Sequence, residues 1–158
     1  MKELDSTNYF HLVSKIPAGM QPPLAEFSLG KENGILEFTA GNLIVRLTPC
    51  WKNSKMEGEP DSIILDAELM KLDLNNREVN HDRFLILHQF NSVSRYATGM
   101  ISFITEQGML SLGKMISMPS LSEKENVKLL LEEIATMVAA ANDLYDQWNE
   151  LNSVSSIG

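Results

Sequence analysis

The chain has 158 residues, of which 44% are hydrophobic and 22% charged, and this composition predicts one globular domain, not a disordered segment. Its 21 acidic and 13 basic residues give a formal net charge of -8, the wrong sign for binding a phosphate backbone or an anionic membrane surface. We therefore expect no nucleic-acid or membrane partner. The single cysteine, Cys50, excludes an internal disulfide and a cysteine-rich zinc site, so we expect a cytoplasmic protein.

A short helix is predicted near the start of the chain. Ser6 or Thr7 can cap it, and apolar residues recur at helical spacing from Tyr9 to Ile16. Because proline interrupts the hydrogen bonds of a helix, we expect this helix to end before Pro17.

Alternating apolar and polar residues then predict antiparallel strands. The alternation begins at Leu24, and turn residues at Asn33-Gly34 and at 40–42 divide it into three strands. Residues 52–61 are polar and predict an exposed loop, after which residues 63–69 predict a fourth strand.

The second half of the chain returns to helical spacing before a second hairpin. The helix is predicted between Asn80 and Tyr96, with Gly99 as its C-terminal cap. Alternation over residues 101–116, interrupted by a turn at 106–108, predicts the hairpin.

The last element is predicted to be the longest helix. Ser122 and Glu125 form a possible capping box at its start, and a wide apolar face continues to about Leu151. The predicted fold is therefore an α+β domain over residues 1–152, an antiparallel sheet flanked by helices in the order α-β-β-β-(β)-α-β-β-α. Residues 153–158 are serine-rich and are predicted to form a flexible tail.

The sequence offers no recognisable catalytic or metal-binding pattern. His11, His81 and His88 lie too far apart along the chain to form a short zinc-binding pair, and Cys50 has no neighbouring base. No glycine-rich phosphate loop or nucleophile elbow occurs. We therefore expect no cofactor and no enzyme activity, and we interpret the chain as a protein-binding domain.

Four of the nine methionines lie in or beside the second hairpin, at positions 100, 109, 115 and 118. Methionine is flexible and polarisable, which suits a surface that accepts varied apolar side chains. The same residue also fills gaps in protein cores, so the pattern leaves both interpretations open.

The order of elements resembles that of the class I type III secretion chaperones and the related YbjN-type domains. The resemblance is carried by residues 24–27, 34–38, 63–69, 84–91, 99–103, 110–112 and 145–148, the last ending at Trp148. It implies a small, acidic, cytoplasmic and homodimeric chaperone that holds an extended segment of a secreted protein.

The resemblance also implies where such a protein would make its contacts. Apolar residues of the first helix and first strands would bind the partner, namely Phe10, Phe27, Leu29, Phe38 and Val45. Residues of the central helix would form the dimer interface, namely Phe84, Leu87, Phe90 and Val93. Two alternatives remain at this point: a YbjN-type regulatory or stress-associated domain that binds a folded partner, and a small-ligand pocket or enzyme between the sheet and the long helix.

Overall fold

A computed structural model of the chain contains a six-stranded antiparallel sheet with helices packed against it, and it describes residues 6–51, 60, 62–72, 77–97, 99–117 and 122–157. The elements in chain order are α1 (Ser6–Ser14), α2 (Ile16–Gly19), β1 (Ser28–Leu29), β2 (Leu36–Ala40), β3 (Leu43–Cys50), β4 (Ser62–Lys71), α3 (Arg77–Ala97), β5 (Ile101–Ile104), β6 (Met109–Ser117) and α4 (Glu123–Ile157). The strand order across the sheet is β1-β2-β3-β4-β6-β5. The predicted α+β class and the predicted order of helices and hairpins are confirmed.

The two faces of the sheet differ because successive side chains of a strand point in opposite directions. On β3 and β4 the buried set is apolar, with Val45, Leu47 and Leu65 fully enclosed. The intervening residues lie on the opposite side, which we call the outer face. The pairing register aligns one row of it across five strands: Glu37, Arg46, Asp66, Gly113 and Ile101.

The long helix α4 completes the core. Ser122 and Glu125 form the predicted capping box: the Glu125 carboxylate accepts from the Ser122 N–H at 3.1 Å, and the Ser122 hydroxyl accepts from the Glu125 N–H at 3.3 Å. One apolar face of the helix is buried, comprising Leu130, Ile134, Met137, Ala141, Leu144 and Trp148. Burial of this face against the sheet stabilises the helix far more than its intrinsic propensity does.

One charged residue occupies a position that faces the helices. Lys114 lies opposite the buried Leu65 in the β4–β6 register, and therefore on the core side of the sheet. Its ammonium group donates to the Glu133 carboxylate of α4 at 2.8 Å, with both side chains mostly buried. This ion pair joins α4 to the sheet, because a charge is tolerated at such a position when it is paired.

Several element boundaries differ from those predicted, and α3 begins at Arg77 instead of Asn80. Pro17 does not end the helical region but lies in the first turn of α2, where the absent N–H costs nothing. The Leu24 N–H donates to the Pro17 carbonyl at 3.0 Å, so this segment joins α2, and β1 is limited to Ser28–Leu29. The α4 backbone remains helical to Ile157, past Leu151, because serine lowers helix stability only slightly. The predicted loop at 52–61 lies outside the described residues apart from Pro60.

Candidate functional site: an open strand edge beside an apolar groove

The edge of the sheet at β5 is covered at Ser102 by a side chain from α3. The Asn91 amide oxygen accepts from the Ser102 N–H at 2.6 Å and from the Ser102 hydroxyl at 3.0 Å, and its amide nitrogen donates to the Ser102 carbonyl at 3.3 Å. The side-chain amide of Asn91 thus forms hydrogen bonds with both the N–H and the carbonyl of Ser102. Since unpaired edge groups attract further strands, this contact opposes strand addition at Ser102.

The edge at β2 is open over its second half. β1 pairs with β2 only at Glu37 and Leu36, so among the described residues no strand neighbours Thr39 or Ala40 on that side. A two-residue loop joins Ala40 to Leu43, and the hydrogen-bonded pairs of a hairpin alternate from its loop. We infer from this alternation that the N–H and the carbonyl of Thr39 point outward, where an incoming strand can pair with them.

An apolar groove adjoins this open edge. It has a volume of about 500 Å³ and lies between α4 and the end of α2, with Ala40 of β2 at its border. The α4 wall consists of Leu131, Ile134, Ala135, Val138 and Ala139, with Asn142 at one end. The small side chains at 135 and 139 make room for a ligand, so the groove can receive apolar side chains from a segment that pairs with Thr39.

Contacts of Tyr9 hold α1 against the residues that precede β2. The buried Tyr9 hydroxyl donates to the Gly34 carbonyl at 2.7 Å, and its ring contacts Phe10 and Trp51 edge to face. Gly34 has φ +71, and an added Cβ would lie 2.9 Å from the Tyr9 ring, so glycine is required there. These contacts fix α1 at the end of the sheet where β2 begins.

A second attachment links α1 to the start of α4. His11 Nδ1 lies 2.8 Å from the Glu123 carboxylate, and Lys15 forms an ion pair with the same carboxylate. Hydrogen bonds from Lys15 and His11 lower the pKa of Glu123. The attachment is solvent-exposed, so it orients α1 while adding little to stability.

The residues predicted to bind a partner fall into two groups. Phe27 is 48% exposed, and Phe10 and Leu29 are half-buried at the same end of the sheet. Phe38 and Val45 lie in the core beneath them. The first group is therefore at least partly accessible, whereas Phe38 and Val45 are enclosed.

The residues predicted to form a dimer interface are similarly divided. Phe84 is 45% exposed, Phe90 is half-buried and Leu87 is buried against the core. The side chain of Val93 lies outside the described part of the chain. Leu85, which was not among the predicted interface residues, is 49% exposed and follows Phe84 in the chain, so α3 exposes two large apolar side chains in succession.

The hairpin methionines are divided between core and surface. Met100 is fully buried, Met109 is half-buried, Met115 is 64% exposed, and Met118 lies outside the described residues. Met100 therefore agrees with the core interpretation, and Met115 is accessible at the surface.

A charged cluster occupies the outer face. Arg46 donates to Glu37 at 2.5 Å and to Glu68 at 2.6 Å, while its distance to the Asp66 carboxylate is 3.8 Å. Burial raises the pKa of Asp66 to about 6, an effect that the Arg46 charge reduces and the nearby Glu68 and Glu37 charges increase. Above that pH, the carboxylates of Glu37, Asp66 and Glu68 all lie near the single guanidinium of Arg46.

At pH 7.5 we expect Asp66→Asn to raise the free energy of unfolding by about 1–2 kcal/mol. Because the pKa of Asp66 is higher in the folded chain than in an unfolded one, the folded state binds the proton more tightly. Wild-type stability should consequently fall as pH rises from about 4 to about 6, and the asparagine variant should not show this loss. Urea unfolding at pH 3.5 and pH 7.5 measures the free energy of unfolding of both proteins, with the exposed Asp146→Asn as control. An equal stabilisation at both pH values would contradict the assignment.

Within the described ranges, no group of three or more His, Cys, Asp or Glu side chains could hold a metal ion. Cys50 is a free, half-buried thiol on β3. The described part of the chain also contains no helix with the length and apolar character needed to span a membrane.

The residues that build the open edge and groove were missed by sequence reasoning. Thr39 belongs to an ordinary alternating strand, and Ala135 and Ala139 belong to an ordinary helix. Small residues four apart at the margin of the apolar stripe of α4 were the available signal for a groove, but they are also common on packed helices.

No family model and no curated protein sequence matches the chain. Among solved structures, it is similar to a chain of the ExsC–ExsE complex, with a TM-score of 0.59 and 18% identity over 95% of this chain and 96% of that chain. It is also similar to the Yersinia pestis type III secretion chaperone SycH, solved in complex with a stable fragment of YscM2; here the TM-score is 0.51 and the identity 15%, over 86% of this chain and 98% of that chain. Each likeness covers nearly the whole of the compared chain. The chain therefore has the fold of the class I type III secretion chaperones.

Proposed function

We propose that this protein is a non-catalytic chaperone that holds an extended segment of a secreted protein in the cytoplasm before export. The observation that carries the proposal is that, among the described residues, no strand neighbours β2 at Thr39, and an apolar groove lies beside this position; Asn91, by contrast, covers Ser102 at the β5 edge. The similarity to SycH, a secretion chaperone solved with a protein fragment, supports the same function.

Binding by strand addition explains how such a site would accept many sequences. The bound segment would exchange backbone hydrogen bonds with Thr39, and these are independent of side-chain identity. Alternate side chains of the segment would enter the groove between α2 and α4, where burial contributes about 25 cal/mol per Å² of apolar surface. Phe10, Phe27 and Leu29 would extend the apolar contact, with Phe38 and Val45 supporting them.

The experiment that tests this proposal compares Thr39→Pro with Thr39→Val in the full-length chain. Proline removes the outward N–H of an edge strand, where it is otherwise tolerated, whereas valine keeps the N–H and the preference for a strand. We expect copurification of a polypeptide partner, identified by mass spectrometry, to fall at least tenfold for the proline variant and to persist for the valine variant. The partner segment bound to wild-type protein should resist proteolysis.

The opposite results are equally informative. A wild-type chain that retains and protects no polypeptide segment would refute the chaperone function. A retained partner that is folded, and that binds equally to both Thr39 variants, would instead favour a YbjN-type regulatory domain.

We further propose that the chaperone is a homodimer whose interface includes α3, with Phe84, Leu87, Phe90 and Val93. Large apolar side chains that are as exposed as Phe84 and Leu85 are typical of an interface. We expect light scattering after size exclusion to give about twice the mass of 17.7 kDa for the wild-type chain and the monomer mass for Phe84→Glu combined with Leu85→Glu. The exposed substitution Gln89→Glu on the same helix should leave the dimer intact. A monomeric wild-type chain would disprove the dimer.

A further inference from the structure

The outer face of the sheet carries an exposed apolar patch on β5 and β6. Ile101 is 44% exposed, Phe103 is 38% exposed and Met115 is 64% exposed. They border an open groove of about 410 Å³, with Ile64 and Gly113 at its base. This groove lies on the opposite face of the sheet from α4 and is separate from the groove beside Ala40.

The aromatic ring of this patch lies next to the charged cluster. A Cβ added to Gly113 would be 2.8 Å from the Phe103 ring, so the ring lies directly over this glycine. Gly113 is the register partner of Asp66, and paired strands are about 4.8 Å apart. The ring of Phe103 therefore stands beside Asp66, with no side chain between them on β6.

Asp66 is the least satisfied of the three carboxylates in the cluster. Glu37 and Glu68 each accept a short hydrogen bond from Arg46, whereas Asp66 lies 3.8 Å from that guanidinium. Its side chain is only 19% exposed. Within the described ranges Asp66 has no closer donor, and a mostly buried carboxylate in a cluster with more negative than positive charge is stabilised by an added cation.

We propose that this patch binds an arginine side chain of a protein partner, with the guanidinium donating to Asp66 and its plane resting against the ring of Phe103. Arginine suits both contacts, because it is planar, stacks on aromatic faces and forms two parallel hydrogen bonds with a carboxylate. Aliphatic residues beside the arginine would cover Ile101 and Met115. A second copy of this chain is a poor occupant, since its outer face would bring the same carboxylates and an Arg46 already bound to two of them.

The binding should depend on pH. The groups that face Asp66 are Arg46 on β3, Glu37 on β2 and Glu68 on β4, while Gly113 and Phe103 add no charge. Protonation of Asp66 removes the acceptor, so affinity for the cation should decrease as the pH falls through about 6.

The test is a ¹⁵N NMR titration of the full chain with the blocked peptide Ac-Ser-Leu-Arg-Leu-Ser-amide and with its lysine and citrulline counterparts. At pH 7.5 we expect the arginine peptide to shift amide signals around Asp66, Phe103 and Gly113, and to bind at least threefold tighter than the lysine peptide and tenfold tighter than the citrulline peptide. Its affinity should fall at least fivefold at pH 5 and in Asp66→Asn.

Two control variants separate this surface from the proposed chaperone site. Asp146→Asn removes an exposed carboxylate of α4, and Thr39→Pro blocks the β2 edge; neither should change the titration. Equal binding of the arginine and citrulline peptides, or shifts confined to the β2 edge, would overturn the proposal. A change in mass by light scattering for Asp66→Asn would overturn it as well, assigning the outer face to a second copy. The peptide titration requires no secretion partner, so its result is independent of the Thr39 experiment. Either proposal can therefore be supported while the other is refuted.

Discussion

Ala139→Glu is expected to weaken capture of the polypeptide partner by at least tenfold while leaving the chain folded. Ala139 lines the groove beside Ala40 and is itself exposed, so a longer side chain there does not disturb the core. A bound apolar segment would have to bury the new carboxylate without a partner or leave the groove. A tenfold loss corresponds to about 1.4 kcal/mol of binding free energy. Copurification and protease protection of the partner measure the effect.

The matched control for this variant is Thr136→Glu. Thr136 is exposed on the same helix but does not line the groove, so the control adds the same charge to α4 outside the proposed site. Equal losses in the two variants would indicate a general electrostatic effect and would argue against the groove. Circular dichroism and a thermal midpoint within about 2 °C of wild type confirm that both variants fold.

Trp148→Ala is expected to lower the free energy of unfolding by about 3–5 kcal/mol. Trp148 is 1% exposed near the end of α4, and the Arg83 guanidinium of α3 lies 4.9 Å from its ring centroid. The substitution removes the largest buried side chain of the helix and also the ring on which Arg83 rests. Since small domains are stable by about 5–15 kcal/mol, much of the stability would be lost.

Urea unfolding followed by far-UV circular dichroism measures this loss. Trp148→Phe keeps an aromatic ring in the same site, so it should be clearly less destabilising than alanine, by about half. A loss below about 1 kcal/mol for Trp148→Ala would show that the site collapses around the smaller side chain. Such a result would also mean that the contact between Trp148 and Arg83 contributes little to the packing of α3 against α4.

The amphipathic patterns predicted the helices and strands because they record which side of each element is buried. The alternation over 63–69 placed Leu65 in the core and Asp66 on the opposite face, as the structure has them. The capping box at Ser122 and Glu125 fixed the start of α4 through contacts three residues apart. Such local relationships can be recognised in a single sequence.

Boundaries that depend on distant contacts were less well predicted. β1 is short because the Leu24 N–H bonds the Pro17 carbonyl, and no periodic pattern reports such a bond. Among the proposed partner-binding residues, alternation did not separate Phe27, which is exposed, from Phe38, which is enclosed. Their different burial follows from where helices cover the sheet.

The acidic charge, the α+β class and the two faces of α4 can be recognised without a structure, because they follow from composition and from the spacing of neighbouring residues. Which positions of the sheet edges are covered depends on the tertiary structure. It brought Asn91 to Ser102, left Thr39 without a neighbouring strand among the described residues and placed Asp66 opposite Gly113. These relationships depend on strand order and register, which arise when elements far apart in the chain pack together.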